Sequence, residues 1–331
     1  MKPTVLEICA GAGGQAAGLE EAGFDLAAAV EIDAHACCTL LKNRPRWKVI
    51  EGSIAEVNGA DFRGIDLLAG GVPCPPFSIA GKQLGHEDDR DLFPEALRLI
   101  KESKPRAVLL ENVPGFASDR FLEYRRRLFQ RFARLGYETE SRVLNACWFG
   151  VSQLRPRFVL VAFRGSFPEK FDWPEPDGAN PPSVGDALID LMCSRHWRGA
   201  EKWRRNASGI APTLVGGSKK HGGPDLGPTR ARKQWAAMGV DGLGIADDAP
   251  GPDISIDHTP RLTVRMAARI QGFSDSWCFS GGKTASYRQV GNAFPPPVAR
   301  RVGEAIAFAL RGKGSRRRSG QIPLFQMSAD A

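Results

Sequence analysis

The chain has 331 residues, 42% hydrophobic and 25% charged, with a formal net charge of +8 and a pI near 9.3. That length accommodates one large domain and a smaller one, and the composition is that of an ordinary globular protein. No apolar run reaches the roughly eighteen residues of a membrane span, and seven scattered cysteines without a C-x-x-C pair exclude a disulfide scaffold or zinc site and suit a reducing compartment.

The N-terminus meets an acid at Glu7 and a glycine at Gly11, too soon for a signal-peptide core, and reads as a strand that begins at once. From there, short apolar runs alternate with amphipathic stretches, the pattern of a βαβ sheet. Strands are expected at residues 5–9, 26–31, 66–69, 107–111 and 158–163, with helices between them at 15–22, 34–43, 93–103 and 121–135. After Arg164 the chain turns rich in Gly and Pro and loses sustained periodicity, so 165–258 is expected to be carried mostly on loops. Helical patterning returns at 263–271 and 298–310. The segmentation is therefore 1–165, then an irregular insert at 166–258, a return to the first domain at 259–311, and a basic tail at 312–331 expected to be disordered.

The charge is unevenly distributed. Residues 195–233 hold ten cations (Arg195, Arg198, Lys202, Arg204, Arg205, Lys219, Lys220, Arg230, Arg232 and Lys233) against only Glu201 and Asp225. Such concentration fits a polyanionic partner, although a solvated basic face has the same composition.

Three loops carry the chemistry. Ala10-Gly11-Ala12-Gly13-Gly14 follows the first strand and opens a helix, where glycines allow a ligand close to the backbone. Glu31 ends the next strand about twenty residues after Gly11, where a carboxylate can accept from ribose hydroxyls. A dinucleotide site or a tight turn without ligand has the same local form. Next, Gly70-Gly71-Val72-Pro73-Cys74-Pro75 sets a cysteine between prolines after the third expected strand, which suits a fixed nucleophile, though a lone cysteine is more often a small buried apolar group. The fourth expected strand ends at Glu111-Asn112-Val113. In a parallel sheet these loops share the carboxyl edge, so a thiol, a carboxylate and a nucleotide-like pocket converge on one crevice.

In order, these segments resemble the DNA (cytosine-5) methyltransferase family. The resemblance continues through Gly81-Lys82-Gln83, Gln153-Leu154-Arg155-Pro156-Arg157, Arg269-Ile270-Gln271-Gly272-Phe273 and Gln289-Val290-Gly291-Asn292-Ala293-Phe294. It covers roughly residues 3–164 and 260–310. It implies an α/β fold: a Rossmann-like S-adenosylmethionine-dependent methyltransferase domain with a smaller irregular target-recognition domain at 166–258. The implied reaction is methyl transfer to carbon 5 of a flipped-out cytosine in duplex DNA.

Catalysis is assigned by the resemblance to Cys74, Glu111, Arg155 and Arg157, without dividing the roles of the two arginines. S-adenosylmethionine is expected against Cys9, Ala10, Gly11, Gly13, Gly14, Glu31, Ile32, Ser53, Ile54, Pro73, Leu92 and Asn292; a turn-capping role is the other reading of Asn292. DNA contacts are expected from Lys82, Gln83, Thr213, Lys219, Lys220, Arg230 and Arg232, with no metal. Three positions depart from the family pattern: Cys9 stands where Phe is usual, Ser53 where Asp is usual, and Pro75 where Gln is usual. The expected setting is a monomer in the bacterial cytoplasm, with or without a separate restriction endonuclease. A transfer-RNA cytosine methyltransferase and a non-catalytic DNA-binding relative are the rival readings. The second should lack Cys74 or Glu111, and both are present.

Overall fold

The computed structural model describes residues 2–73, 91–178, 180–216 and 225–311. In chain order the first half runs β1 (Thr4–Ile8), α1 (Gly14–Glu21), β2 (Asp25–Glu31), α2 (Ala34–Asn43), β3 (Val49–Glu51), β4 (Leu67–Gly71), α3 (Phe93–Ser103), β5 (Ala107–Asn112), α4 (Leu122–Arg134), β6 (Tyr137–Asn145), β7 (Gln153–Leu154) and β8 (Pro156–Arg164). Then follow α5 (Val184–Cys193), α6 (Ala200–Asn206), β9 (Ala211–Pro212), α7 (Thr229–Ala237), α8 (Val264–Ile270), α9 (Lys283–Asn292) and α10 (Pro296–Arg311). Seven strands form one sheet in the order β3-β2-β1-β4-β5-β8-β6, and β7 pairs with β9 in a second, two-stranded sheet. β1 to β5 are mutually parallel, while β8 runs antiparallel to both β5 and β6. The fold is the α/β architecture that the strand–helix alternation anticipates.

The chain leaves β1 toward β2 on one side and returns to β4 on the other. That reversal opens a crevice at the carboxyl ends of β1 and β4, where ligands of such sheets bind. Strand alternation splits the core into two layers. Val5, Leu67, Leu109 and Val161 face Leu19, Val298, Val302 and Ile306 of α1 and α10. Leu6, Ile8, Leu68, Leu110 and Leu160 face Leu97 and Ile100 of α3 and Leu128 and Phe132 of α4. α1 and α10 meet through small residues: a Cβ on Gly18 would lie 2.3 Å from the Pro296 carbonyl oxygen.

Two differences from the sequence expectation have plain causes. β6 has no apolar alternation (Tyr-Glu-Thr-Glu-Ser-Arg-Val-Leu-Asn) because it is the sheet edge, where charged side chains discourage pairing with another chain. The described residues of 180–258 hold three helices of seven to ten residues rather than loops alone. These helices are too short to show a sustained period, and a few large anchors hold them. Trp197, Trp203 and Trp235 pack with Val184, Leu188 and Met192, and the same cluster takes in Met266 and Ile270 of α8 and Tyr287 and Val290 of α9. No helix among the described residues is long and apolar enough to cross a membrane.

Candidate active site

Directly after β1 the backbone enters the left-handed region at Cys9 (φ 52°), Gly11 (φ 55°) and Gly13 (φ 81°). Glycine adopts it freely, whereas a residue with a Cβ does so at a cost of about 1–2 kcal/mol, so Cys9 is held in a strained turn. The turn is tied to β2 by the Glu31 carboxylate. Gly11 N–H donates to its Oε2 at 2.7 Å and Asp33 N–H to its Oε1 at 2.8 Å. Around this clasp lies a cleft of about 340 Å³, within the range of small-molecule sites.

Ten of the twelve residues expected to hold a cofactor line this cleft: Cys9, Ala10, Gly11, Glu31, Ile32, Ser53, Ile54, Pro73, Leu92 and Asn292. Gly13 and Gly14 do not. They are small because neighbours press on them: a Cβ on Gly13 would lie 2.5 Å from Leu40 Cδ2, and one on Gly14 would lie 2.3 Å from the Phe294 carbonyl oxygen. The two unusual residues have structural settings. Ser53 Oγ accepts from Ala55 N–H at 3.2 Å and caps the 3-10 turn Ile54–Glu56. Burial, with Glu31 and Glu7 beside it, pushes the Cys9 thiol up to about 12, so Cys9 is a neutral wall group at physiological pH.

Glu7, Gln15, Asp33, Arg288, Gln289 and Phe294 also line the cleft and escaped the sequence reading. Helical spacing could have found one of them, since Arg288 lies four residues before Asn292 on α9. Gln15 is buried with neither amide atom hydrogen-bonded, and Glu7 Oε2 is equally without a partner. Buried polar atoms aimed at a cleft leave bonding capacity for a polar ligand. Burial drives the Glu7 carboxyl well above 4.5; a bond from the Ala16 N–H opposes this and nearby Glu31 adds to it.

At the other end of the cleft stands Glu111, on β5 opposite Gly71 of β4. Arg157 Nε lies 2.8 Å from Glu111 Oε1, with both side chains about nine-tenths buried. Burial raises the Glu111 carboxyl above its ordinary value, while Arg157 and then Arg155 hold it down. The Cys74 loop lies outside the described residues, as do Lys82 and Gln83 within it. Its two ends are anchored beside Glu111: Asn112 Nδ2 donates to the Val72 carbonyl at 2.8 Å, and Leu92 N–H to the Pro73 carbonyl at 3.4 Å.

The two arginines separate. Arg157 faces Glu111, whereas Arg155 is fully buried and donates to backbone carbonyls, from Nη1 to Leu214 at 2.7 Å and from Nη2 to Gly291 at 2.7 Å and Ala293 at 3.1 Å. Among the residues expected at DNA, Thr213 Oγ1 donates to the Leu154 carbonyl at 2.7 Å, beside the β7–β9 pairing. Arg230 is exposed and Arg232 half-buried, both on α7; Lys219 and Lys220 lie outside the described residues. Across the described residues no cluster of His, Cys, Asp and Glu is placed to hold a metal ion.

The profile of the family described as C-5 cytosine-specific DNA methylase matches residues 3–307. The chain is similar to the Type II methyltransferase M.NaeI of Lentzea aerocolonigenes, 55% identical over 317 residues spanning 95% of this chain and 76% of that protein. It is similar also to the Type II methyltransferase M.NgoMIV of Neisseria gonorrhoeae, 52% identical over 314 residues spanning 94% and 99% of the two. Among solved structures, an Escherichia coli prophage protein described as a DNA modification methyltransferase superposes with a TM-score of 0.66 at 25% identity, over 94% of this chain and 100% of that one.

Proposed function

This chain belongs to the C-5 cytosine-specific DNA methylase family, and we propose that it methylates one cytosine of a short duplex DNA sequence, using S-adenosylmethionine and a covalent Cys74 adduct. The observation that supports the reading best is the shared cleft, lined at one end by Glu31, Ile32, Ser53 and Ile54 and at the other by Pro73 and Glu111. Glu31 accepts one backbone bond at each oxygen and keeps lone pairs for ribose hydroxyls. Ile32 is 72% exposed and offers an apolar surface to a purine, while Gln15 offers an unused amide. These residues fit S-adenosylmethionine, which supplies an electrophilic methyl group.

Cytosine carbon 5 is too weak a nucleophile by itself. The Cys74 thiolate adds to carbon 6, and the electron pair of the 5,6 double bond becomes available at carbon 5. Glu111 supports that addition by placing a hydrogen bond or proton at ring nitrogen 3, a role its raised carboxyl suits. Arg157 orients Glu111 at 2.8 Å. After the methyl group is accepted, the carbon 5 proton leaves to a base, and the returning electrons expel the thiolate and restore the ring. A stacked base cannot reach a crevice at a sheet edge, so the cytosine must flip out of the duplex.

The high identity to two Type II methyltransferases supports a setting beside a separately encoded restriction endonuclease. The working unit is a monomer in the bacterial cytoplasm, with Thr213, Arg230 and Arg232 on the DNA. Bisulfite sequencing of DNA from cells expressing the protein should reveal one methylated context. A duplex carrying 5-fluorocytosine there should trap a covalent complex with the wild type and none with Cys74→Ser, which should also lose turnover. Retained turnover in Cys74→Ser would remove Cys74 as nucleophile, and methylation of RNA but not DNA would overturn the substrate.

A further inference from the structure

Arg155 and Gly216 connect the recognition segment to the wall of the cleft. Thr213, Leu214 and Val215 follow β9, which pairs with β7 through Gln153↔Ala211 and Leu154↔Pro212. Arg155, the residue between β7 and β8, reaches across this small sheet. One arm of its guanidinium holds the Leu214 carbonyl, and the other holds the carbonyls of Gly291 and Ala293, on either side of Asn292. Gln153 completes the joint. Its Oε1 accepts from Leu214 N–H at 2.9 Å, and its Nε2 donates to Gln271 Oε1 at 2.8 Å, whose own amide nitrogen donates to Ala293.

Backbone contact then brings Gly216 directly onto α9. A Cβ on Gly216 would lie 2.5 Å from the Arg288 carbonyl oxygen and 2.6 Å from Asn292 Oδ1, and one on Gly291 would lie 2.4 Å from Gly216 N. Arg288 and Asn292 both line the cleft. Neither Arg155 nor Gly216 lines it. A fully buried guanidinium whose two terminal nitrogens are engaged with backbone carbonyls is a poor candidate for holding a transient base. Moving it out of those bonds would leave a buried cation and several carbonyls unsatisfied.

We infer that Arg155 and Gly216 are positioning residues for the cofactor site, through which the recognition segment braces the Arg288–Asn292 wall. The inference rests on reading the cleft as the S-adenosylmethionine site. It separates sharply from a role for Arg155 on the cytosine. A base-holding arginine matters only when DNA is present, whereas a brace matters to the cofactor even without DNA.

Calorimetric titration of the DNA-free full chain with S-adenosylhomocysteine tests it, with thermal melting as the check of folding. Gly216→Ala adds one methyl group against Arg288 and Asn292, and Arg155→Lys removes the fork that spans the joint. Each should weaken binding by ~10-fold, the scale of a local overpacking or a lost buried anchor, and each should raise KM for S-adenosylmethionine more than it lowers kcat. Unchanged affinity in folded Gly216→Ala overturns the inference, whatever Arg155→Lys does, and that variant decides alone if Arg155→Lys does not fold. A wild-type protein that does not bind S-adenosylhomocysteine would instead sink the cofactor reading of the cleft, and the brace with it.

Discussion

Around the cleft, Glu7, Glu31, Glu111, Arg155 and Arg157 are all nine-tenths buried or more, and their partners are backbone groups or one another. Between residues 180 and 258 the described charged side chains are exposed or half-buried instead. Arg195 pairs with Asp248, Lys202 with Asp257 and Arg204 with Asp186, the three acids being at least half exposed. Buried charge is expensive and persists where chemistry or a joint needs it; exposed pairs are worth little and can be exchanged freely. The contrast also corrects the charge count. Three of the ten cations in 195–233 are paired with acids lying before or after that stretch, while Arg198, Arg205, Arg230, Arg232 and Lys233 form no ion pair with a described acid.

The contrast breaks first at Glu111. Glu111→Gln keeps the shape but cannot exchange a proton, and turnover should fall by about 10²–10⁴-fold, measured as single-turnover methyl transfer. A near-normal rate would make its burial beside Arg157 a structural matter only. The recognition half should respond through packing rather than charge. Trp235→Ala should cost about 3–5 kcal/mol of stability in a urea titration. Trp235→Phe should cost much less, because it also removes an indole N–H that is buried without a partner. Equal losses from the two would mean that the ring shape, not the volume, holds the cluster.

Glu7 sharpens the comparison in the opposite direction. Its carboxyl is raised in the fold, so the native state holds its proton more tightly than the unfolded chain does. Stability from this group is complete below about 4.5 and declines as pH rises through the folded value. Glu7→Gln should remove that decline and stabilise the cofactor-free protein by about 1–3 kcal/mol at pH 8, with little effect at pH 4. Melting curves across pH check this, and a variant less stable at both ends would contradict it. The smallest effect belongs to the surface. Arg230→Ala should lower the salt dependence of DNA binding by about one counterion, and Lys202→Ala, already paired, by less. Equal slopes would show that the Lys202–Asp257 pair opens on the DNA.

Around the cleft, β1, β2, β4 and β5 with the turns that follow them were legible in the sequence alone, because apolar alternation, glycine turns and strand-end acids are properties of neighbouring residues, whereas β3 and α9, the helix carrying Arg288 and Asn292, were not among its expected elements. The sequence also put Cys9 to Gly11, Glu31, Pro73 and Glu111 at one edge, since parallel strands share a carboxyl end. The tertiary structure decided what depends on residues far apart. Arg155 and Arg157, two positions apart, would share a face in a regular strand, but the break between β7 and β8 sends one into the joint and the other to Glu111. Gly13 and Gly14 are small because Leu40 and Phe294 lie against them. Arg195 finds Asp248 only when the chain folds back, so counting charge along a segment cannot tell a neutralised surface from a free one.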